Sequence, residues 1–327
     1  MQPVGEPVGR PERKPGGFGI RESGRVGECE PERRSDRVAR RVGVAELIGR
    51  GPMRLFAYRS GPLGEDVVQG TVDADGRVIV DGTAIDPTEL TPAPGIARPG
   101  KIVCVGLNYR DHVAEGGRPG PDRPLLFAKF GNTVIADGEA IVRPKGAHAL
   151  DLEVELGVVI AKRARRVNAA QAMDHVAGYV VLNDVSARDW QGIPVALRDG
   201  EKGDGQWLRA KGSDTFLPIG PVFVTADEID PRRGLRVRSW RITSDGHEQL
   251  MQDASTTDMI WDVPSLIAFI SDAITLEAGD VIATGTPSGV GVFRDPPVFL
   301  EPGDRVRCDV EGIGSVENPI IDWSDAN

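Results

Sequence analysis

The stretch ALDLEVELGVVI, residues 149–160, decides the fold class of this sequence. Its hydrophobic residues first alternate with Asp151, Glu153 and Glu155 and then form an unbroken run to Ile160. This pattern predicts a largely buried β-strand whose three acids share one face, because successive side chains of a strand point to opposite faces. Two carboxylates at positions i and i+2 lie about 6 to 7 Å apart, and their repulsion costs about 2.5 kcal/mol at an effective dielectric of about 20. The acidic row is therefore expected either to face water or to bind a cation.

The segments around this stretch predict an α+β protein with a mostly antiparallel core and a few peripheral helices. Short alternating segments separated by Gly and Asp turns fill residues 53–98 and predict a small antiparallel meander. Helical patterns are confined to residues 111–117, 168–179 and 263–274, with Asn168 as the expected N-cap of the second helix. Strands outnumber these helices and show no regular βαβ alternation, which favours the α+β class.

Three segments follow from the composition along the chain. Residues 1–52 are dense in Arg, Pro, Gly and Glu and have almost no periodic apolar residue, so we expect a disordered extension or an upstream-start artefact. Residues 53–98 are predicted to form a small N-terminal β domain. Residues 99–323 are predicted to form a larger domain, which becomes the catalytic domain only through the motifs and the family resemblance given below.

The composition excludes several classes of partner. The net charge of -10 argues against a nucleic acid or an anionic membrane surface. No apolar run approaches the roughly 20 residues that span a bilayer. The cysteines Cys29, Cys104 and Cys308 are too few and too scattered for a disulfide framework or a zinc cluster, which favours a reducing cytoplasm.

A third carboxylate makes the cation alternative specific. Asp184 ends an apolar strand, GYVVLND, where a buried run delivers a polar side chain to the edge of a sheet. Together with Glu153 and Glu155 it forms an all-oxygen set that suits Mg²⁺, Mn²⁺ or Ca²⁺. Zinc is disfavoured because no His or Cys joins the set. A merely solvated acidic face is the alternative.

His112 and Glu115 form a second candidate constellation. They lie at i and i+3 in YRDHVAE and are therefore neighbours on a helical turn. A carboxylate in that position orients an imidazole and makes it a better base, and the following glycines fit a mobile lid. An exposed polar helix is the alternative. The loop ATGTPSGVG contributes Gly285, which permits close backbone approach, and Thr286, whose hydroxyl or N–H could bind a carboxylate; its alternative is a plain turn.

Five segments in order resemble the fumarylacetoacetate hydrolase (FAH) family, and they cover residues 101–319. They are KIVCVGLNYRDHVAE, the ExE of Glu153 and Glu155, NDVSARDWQ, GQWLRAKGSDTFLPIGP and TGTPSGVG. The resemblance implies a mixed β-sandwich roll, a divalent metal held by Glu153, Glu155 and Asp184, homodimers, and small 2-oxo-acid substrates. It gives Asp151 no ligand role, so Asp151 is expected to support the ligands from behind or to be an exposed bystander.

The resemblance also implies residues that bind the substrate. Three carboxylates and a divalent cation leave a charge of about -1, so an anionic substrate needs cationic help. The candidates are Lys211 at the reacting centre, followed by Lys129 and Arg188, while Gln191 and Gln206 are candidates for polar contacts. His148, His175 and His247 receive no role. The connection over residues 192–204 is longer than is expected of compact family members, and it leaves the wall of the pocket open.

The resulting functional hypothesis is a metal-dependent hydrolase or lyase that cleaves a C–C bond in a small 2-oxo or 1,3-dicarbonyl acid through an enolate. His112 and Glu115 would deprotonate the attacking water. The first alternative is an isomerase or decarboxylase of 2-hydroxydienoates from aromatic catabolism. The remote alternative is a non-catalytic β module that binds Ca²⁺.

Overall fold

The computed structural model describes residues 51–61, 66–96, 98–117, 119–203 and 205–326. The extension predicted over residues 1–52 lies almost entirely outside these residues and stays a prediction. The described α-helices are α1 (Arg110–Glu115), α2 (Ala169–Ala172), α3 (Arg188–Gln191), α4 (Trp207–Gly212) and α5 (Val263–Ala273).

The strands outnumber the helices, as the sequence predicts. The described strands are β1 (Arg54–Ser60), β2 (Asp66–Val72), β3 (Val78–Val80), β4 (Thr83–Ile85), β5 (Ile102–Gly106), β6 (Leu125–Lys129), β7 (Val134–Ile135), β8 (Ile141–Arg143), β9 (Leu150–Asp151), β10 (Val154–Ile160), β11 (Val176–Asn183), β12 (Ser186–Ala187), β13 (Leu217–Pro218), β14 (Val222–Thr225), β15 (Arg236–Ile242), β16 (Glu248–Ser255), β17 (Val281–Ala283), β18 (Arg305–Val310) and β19 (Gly314–Asp322).

Two sheets form the body of the protein. The larger sheet has ten strands in the order β4-β3-β2-β1-β14-β11-β10-β17-β5-β6, and the smaller has five in the order β16-β15-β18-β19-β8. Most neighbours are antiparallel, whereas β17–β5 and β19–β8 are parallel. Strands β10 and β11 pack against β15, β18 and β19, and one hydrophobic core contains side chains from both sheets. The predicted α+β class and mixed sandwich are confirmed.

The meander predicted over residues 53–98 is present as β1–β4. Each of these strands pairs antiparallel with the next. Strand β1 also pairs with β14, so the meander extends the large sheet at one edge. The division of the chain at residue 98 stays a prediction.

The stretch that decides the fold class forms two strands, which corrects the prediction of one continuous strand. Strand β10 lies between β11 and β17 and is buried at all seven positions. The chain leaves the ladder at residues 152–153, where the Glu153 N–H donates to the side chain of Asn183. Asp151 instead belongs to β9, which pairs with β12. Asp151 is therefore not part of one acidic row with Glu153 and Glu155.

The helical prediction over residues 168–179 is also corrected. Asn168 caps α2 by accepting a hydrogen bond from the Gln171 N–H, as expected, but α2 ends at Ala172 and only a 3-10 turn over Met173–His175 continues it. From Val176 the chain is the buried strand β11, which pairs with β10 on one side and β14 on the other. Pairing with two neighbours outweighs the local helical pattern of this short segment.

Across the described residues, no helix is long and apolar enough to cross a membrane.

Candidate active site

Three buried carboxylates meet where β10 begins and β11 ends. Glu153, Glu155 and Asp184 are each at most 4% exposed, and one oxygen of each lies within 4.8 Å of the others. The chain holds them together because the Asp184 N–H donates to the Glu153 carbonyl at 2.9 Å. The structure therefore brings together the three residues predicted as metal ligands. They are called the acid cluster below.

Two buried lysines contact the acid cluster. Lys211 Nζ lies 2.6 Å from Glu153 Oε2 and 2.9 Å from Asp184 Oδ2. Lys129 Nζ lies 2.7 Å from Asp184 Oδ1 and also donates to the carbonyls of Val185 and Phe216. Buried charges of this kind persist only when they are paired. The lysines thus offset part of the negative charge of the cluster.

Arg188 links the acid cluster to Asp151. One guanidinium nitrogen lies 2.6 Å from Glu153 Oε1, and Nε donates to Asp151 Oδ2 at 2.9 Å. Asp151 is only 1% exposed and also accepts from the N–H groups of Gly291 and Val292. Asp151 is therefore not a bystander: it fixes the arginine that contacts a predicted ligand.

The acid cluster is electrostatically uneven. Burial disfavours the ionised form of Glu153, but Arg188 and Lys211 outweigh it and lower its pKa to about 2. Burial, Asp184 and Glu153 together raise the pKa of Glu155 well above its usual range. A cation bound among the three carboxylates would reverse this shift, since opposite charge favours the ionised form. The three carboxylates are hard oxygen donors, and the ionised form of Glu155 is disfavoured until a positive charge binds beside it. Both observations fit a divalent cation, so the cluster could bind one.

We expect the Asp151→Asn substitution to lower the free energy of unfolding by about 3 kcal/mol, because it leaves Arg188 without one partner of a buried ion pair. Urea denaturation measures the change. Asp309→Asn is the matched control, because Asp309 pairs with Arg238 at the surface, where the loss should stay below about 1 kcal/mol. Equal losses in the two variants would contradict the anchoring role of Asp151.

His112 and Glu115 lie together on α1. His112 Nδ1 is 2.7 Å from Glu115 Oε1, and the histidine is 6% exposed. With the carboxylate accepting from Nδ1–H, Nε2 is the unprotonated nitrogen of the neutral ring. The ring of Phe293 packs at 6.0 Å between centroids and limits its movement. The alternative of an exposed polar helix does not hold for this histidine.

The loop over residues 284–291, called the glycine loop, donates main-chain hydrogen bonds to four acidic side chains, one of them Asp111, which accepts from the Ser288 N–H at 3.2 Å. The N–H of Gly285 donates to Glu155, that of Gly289 to Glu115, and that of Gly291 to Asp151, at 2.7 to 2.9 Å. Gly285 has a φ of +97°, and an added Cβ would lie 2.8 Å from Asn108 Cβ, so glycine is required there. The loop is thus more than a plain turn.

A cavity of about 460 Å³ has Glu153 and Glu155 of the acid cluster in its wall, whereas Asp184 lies outside the lining. Its lining includes seven polar side chains: His112, Glu153, Glu155, Arg188, Gln191, Lys211 and Thr286. The Thr286 hydroxyl donates to the Val154 carbonyl and accepts from Gln252, so the backbone N–H is the group of Thr286 that is left for a ligand. Gln191 accepts from Arg188 with Oε1, which leaves its amide nitrogen for a ligand.

Three predicted substrate contacts do not line the cavity. Lys129 lies behind Asp184, with all its polar contacts made to the protein. Gln206 is exposed at the start of α4. Gly285 contacts Glu155 through its N–H and lies outside the wall. These three residues lie near the cavity but do not line it. A sequence motif indicates that a residue is near a site, but it does not show whether the residue reaches the cavity.

Sequence reasoning missed Gln252 on β16. This residue is 1% exposed, donates to Thr286 and to the Pro287 carbonyl, and accepts from the Val154 N–H. It therefore ties the glycine loop to β10 from the opposite sheet. No local pattern marks it, since Val154 is 98 residues away along the chain. His148, His175 and His247 do not line the cavity among the described residues.

Known proteins resemble this chain over most of its length. The family model of the fumarylacetoacetate (FAA) hydrolase C-terminal region matches residues 101–321. The chain is 43% identical over 234 residues to a mitochondrial oxaloacetate tautomerase of Bos taurus, covering 72% of this chain and 70% of the relative. It is 42% identical to a human mitochondrial oxaloacetate tautomerase over the same shares.

Solved structures also resemble this chain. The 2-hydroxyhepta-2,4-diene-1,7-dioate isomerase of Mycobacterium marinum superposes with a TM-score of 0.67 at 34% identity, covering 83% of this chain and 99% of that one. The fumarylacetoacetate hydrolase of Exiguobacterium antarcticum superposes with a TM-score of 0.67 at 30% identity and the same coverage. The chain therefore belongs to the fumarylacetoacetate hydrolase family of enzymes.

Proposed function

We propose that this protein catalyses metal-dependent proton transfer on a small 2-oxo acid, interconverting its keto and enol forms. The observation that carries the proposal is that His112, whose ring is held by Glu115, lines the same cavity as Glu153 and Glu155 of the acid cluster. The names of the relatives support it, because oxaloacetate tautomerases and a 2-hydroxyheptadienedioate isomerase both move a proton next to a carbonyl group.

Glu153, Glu155 and Asp184 are the residues that would hold the cation. Their oxygens favour Mg²⁺, with Mn²⁺ and Ca²⁺ as alternatives. When bound, such a cation acts as a Lewis acid and stabilises negative charge that develops on a substrate oxygen.

His112 is proposed as the base that removes the proton next to the carbonyl and returns it at another position. Glu115 holds Nδ1–H at 2.7 Å, which keeps the basic Nε2 for the substrate. The Gly289 N–H fixes the other oxygen of Glu115, so the carboxylate and the imidazole keep their relative orientation. Glu115 therefore acts as a positioning residue.

The charge balance of the site suits an anionic substrate. With a divalent cation bound and all four buried carboxylates ionised, three buried cationic side chains leave the site with a net charge of about +1. The carboxylates are Asp151, Glu153, Glu155 and Asp184, and the cationic side chains are Lys129, Lys211 and Arg188. A site with a small positive charge attracts a carboxylate, as proposed for a 2-oxo acid. Lys211 and Arg188 line the cavity and would contact it, whereas Lys129 acts from behind.

The hydrolysis of a C–C bond in an acylpyruvate or a fumarylacetoacetate-like acid is the second candidate. The same His112–Glu115 pair favours it, since a base poised over the cavity can deprotonate water as well as carbon. The calcium-binding module without catalysis is set aside, because members of the family are enzymes. A homodimer and a cytoplasmic location stay predictions, and the bovine and human relatives are named as mitochondrial.

The proposal is tested by turnover with and without a divalent cation. We expect the purified protein with Mg²⁺ to accelerate the loss of enol absorbance of oxaloacetate, and an excess of EDTA to return the rate to that of buffer. A coupled assay for pyruvate separates tautomerisation from decarboxylation, and an acylpyruvate tests hydrolysis. Turnover that survives EDTA would exclude the metal-dependent mechanism, and inactivity on all these acids with Mg²⁺ would exclude the proposed function.

A further inference from the structure

The cavity changes character from its base to its mouth. None of its seven polar side chains is more than 7% exposed, so all of them lie at the buried base. Five lining residues are exposed, namely Pro119, Leu125, Pro194, Val195 and Trp207, and all five are apolar. Three of them are the large hydrophobic side chains of Leu125, Val195 and Trp207, which are 37%, 59% and 38% exposed. These three are called the rim. A bound molecule that chelates at the base and is long enough to reach the mouth must therefore pass an apolar rim.

Aromatic side chains connect the base to the rim. Lys211 Nζ lies 5.1 Å from the ring centroid of Phe127, and Phe127 packs edge-to-face on Trp207 at 5.7 Å. Across the cavity, Ile193 and Phe293 add further apolar wall. The wall therefore offers stacking and apolar contacts along its length beyond the acid cluster.

Charged partners are confined to the base. Among the described lining residues, Arg188 is the only arginine and Lys211 is the only lysine. Both are already paired with the carboxylates at the base. A short dicarboxylate such as oxaloacetate keeps both its carboxylates near these groups. A long dicarboxylate would have to place its second carboxylate against the apolar wall, where burying an unpaired charge is costly.

We infer that the substrate cavity is built for a 2-oxo acid whose far end is an uncharged apolar arm, and that Leu125, Val195 and Trp207 select against a carboxylate there. This inference rests on the proposed function for the position of the 2-oxo-acid end. It separates the protein from an enzyme for long dicarboxylates, such as the isomerase to which it is similar.

The test measures binding, so that it does not depend on turnover. Two 2-oxo acids of equal chain length, one ending in a methyl group and one in a carboxylate, are titrated calorimetrically into the wild-type protein with Mg²⁺. We expect the methyl-ended acid to bind at least about tenfold more tightly, which corresponds to about 1.4 kcal/mol. Tighter or equal binding of the carboxylate-ended acid overturns the inference.

A rim variant checks the cause of the selectivity. Val195→Arg places a cation at an exposed rim position and should reduce the preference for the methyl-ended acid by about tenfold, or reverse it. Val195→Gln, which adds length without charge, should change the preference much less. Arg118→Gln is measured in parallel, because Arg118 adjoins Pro119 in sequence and lies outside the described residues. If the wild type favours the carboxylate end through Arg118, the inference is overturned.

The two proposals fail in different ways. If the methyl-ended acid binds more tightly but no 2-oxo acid is turned over, the proposed reaction is wrong and the cavity inference stands. If oxaloacetate is tautomerised but the long carboxylate-ended acid binds more tightly, the reaction stands and the inference is wrong.

Discussion

The His112→Ala variant should lose turnover by about a thousandfold while keeping its affinity for Mn²⁺ or Mg²⁺. The loss follows from removing a general base, whose contribution is typically about 10² to 10⁴. Metal affinity should be kept because the acid cluster lies on β10 and after β11, whereas His112 lies on α1 and pairs with Glu115. Steady-state kinetics and calorimetric titration of the cation, performed on the same preparation, measure the two properties.

A second histidine provides the control for this experiment. His247 lies exposed in the turn between β15 and β16 and outside the cavity, so His247→Ala should keep wild-type kinetics. A His112→Ala protein with more than a tenth of the wild-type kcat/KM would remove His112 from the role of base. A variant that also lost the cation would show that His112 supports the metal site.

Two substitutions in the acid cluster should differ in their effect on stability in the absence of metal. Asp184→Asn leaves the buried ammonium groups of Lys129 and Lys211 without a carboxylate that lies within 3 Å of both, and we expect it to cost about 3 to 5 kcal/mol. Glu155→Gln removes a carboxylate whose pKa is raised by burial, by Asp184 and by Glu153, while the amide can still accept from the Gly285 N–H. The Glu155→Gln protein should therefore be at least as stable as the wild type.

The response to metal completes this pair of variants. Wild-type protein should gain about 2.7 kcal/mol when Mg²⁺ is present at a hundred times its Kd, because the cation binds only the folded state. Both variants should lose this gain and the metal-dependent turnover. Chemical denaturation of the wild type and both variants, in EDTA and in Mg²⁺, measures the free energies of unfolding, and steady-state kinetics measures the turnover. A Glu155→Gln protein as unstable as Asp184→Asn would show that Glu155 is paired rather than repelled in the metal-free protein.

The parts of the site that sequence reasoning could predict are those with local patterns. Glu153 and Glu155 stand two residues apart beside a buried run, and His112 and Glu115 stand three apart on a helical turn. Asp184 was predicted from its place at the end of an apolar strand, and β11 pairs beside β10 so that the side chains meet. Short-range spacing and strand ends thus carried the prediction of these residues.

The parts that sequence reasoning could not predict depend on contacts between distant segments. Asp151 looked like a third member of an acidic row, because the partner of the Glu153 N–H at the break over residues 152–153 is the side chain of Asn183, thirty positions further along the chain. The role of Asp151 depends on Arg188 and on two N–H groups about 140 residues away. Periodicity carries no information about such partners, so burial of a charge is visible only once the sheets are assembled.

The glycine loop has a consequence for how this scaffold can change its substrate. It sets the cluster through Gly285, the base through Gly289 and the anchor of Arg188 through Gly291, all with main-chain N–H groups. Inserting or deleting one residue in this loop would disturb all three hydrogen bonds at once. Exchanging a side chain of the rim would leave all three in place. We therefore expect the substrate to change through substitutions at the rim, while the length of the glycine loop stays the same and the catalytic groups keep their positions.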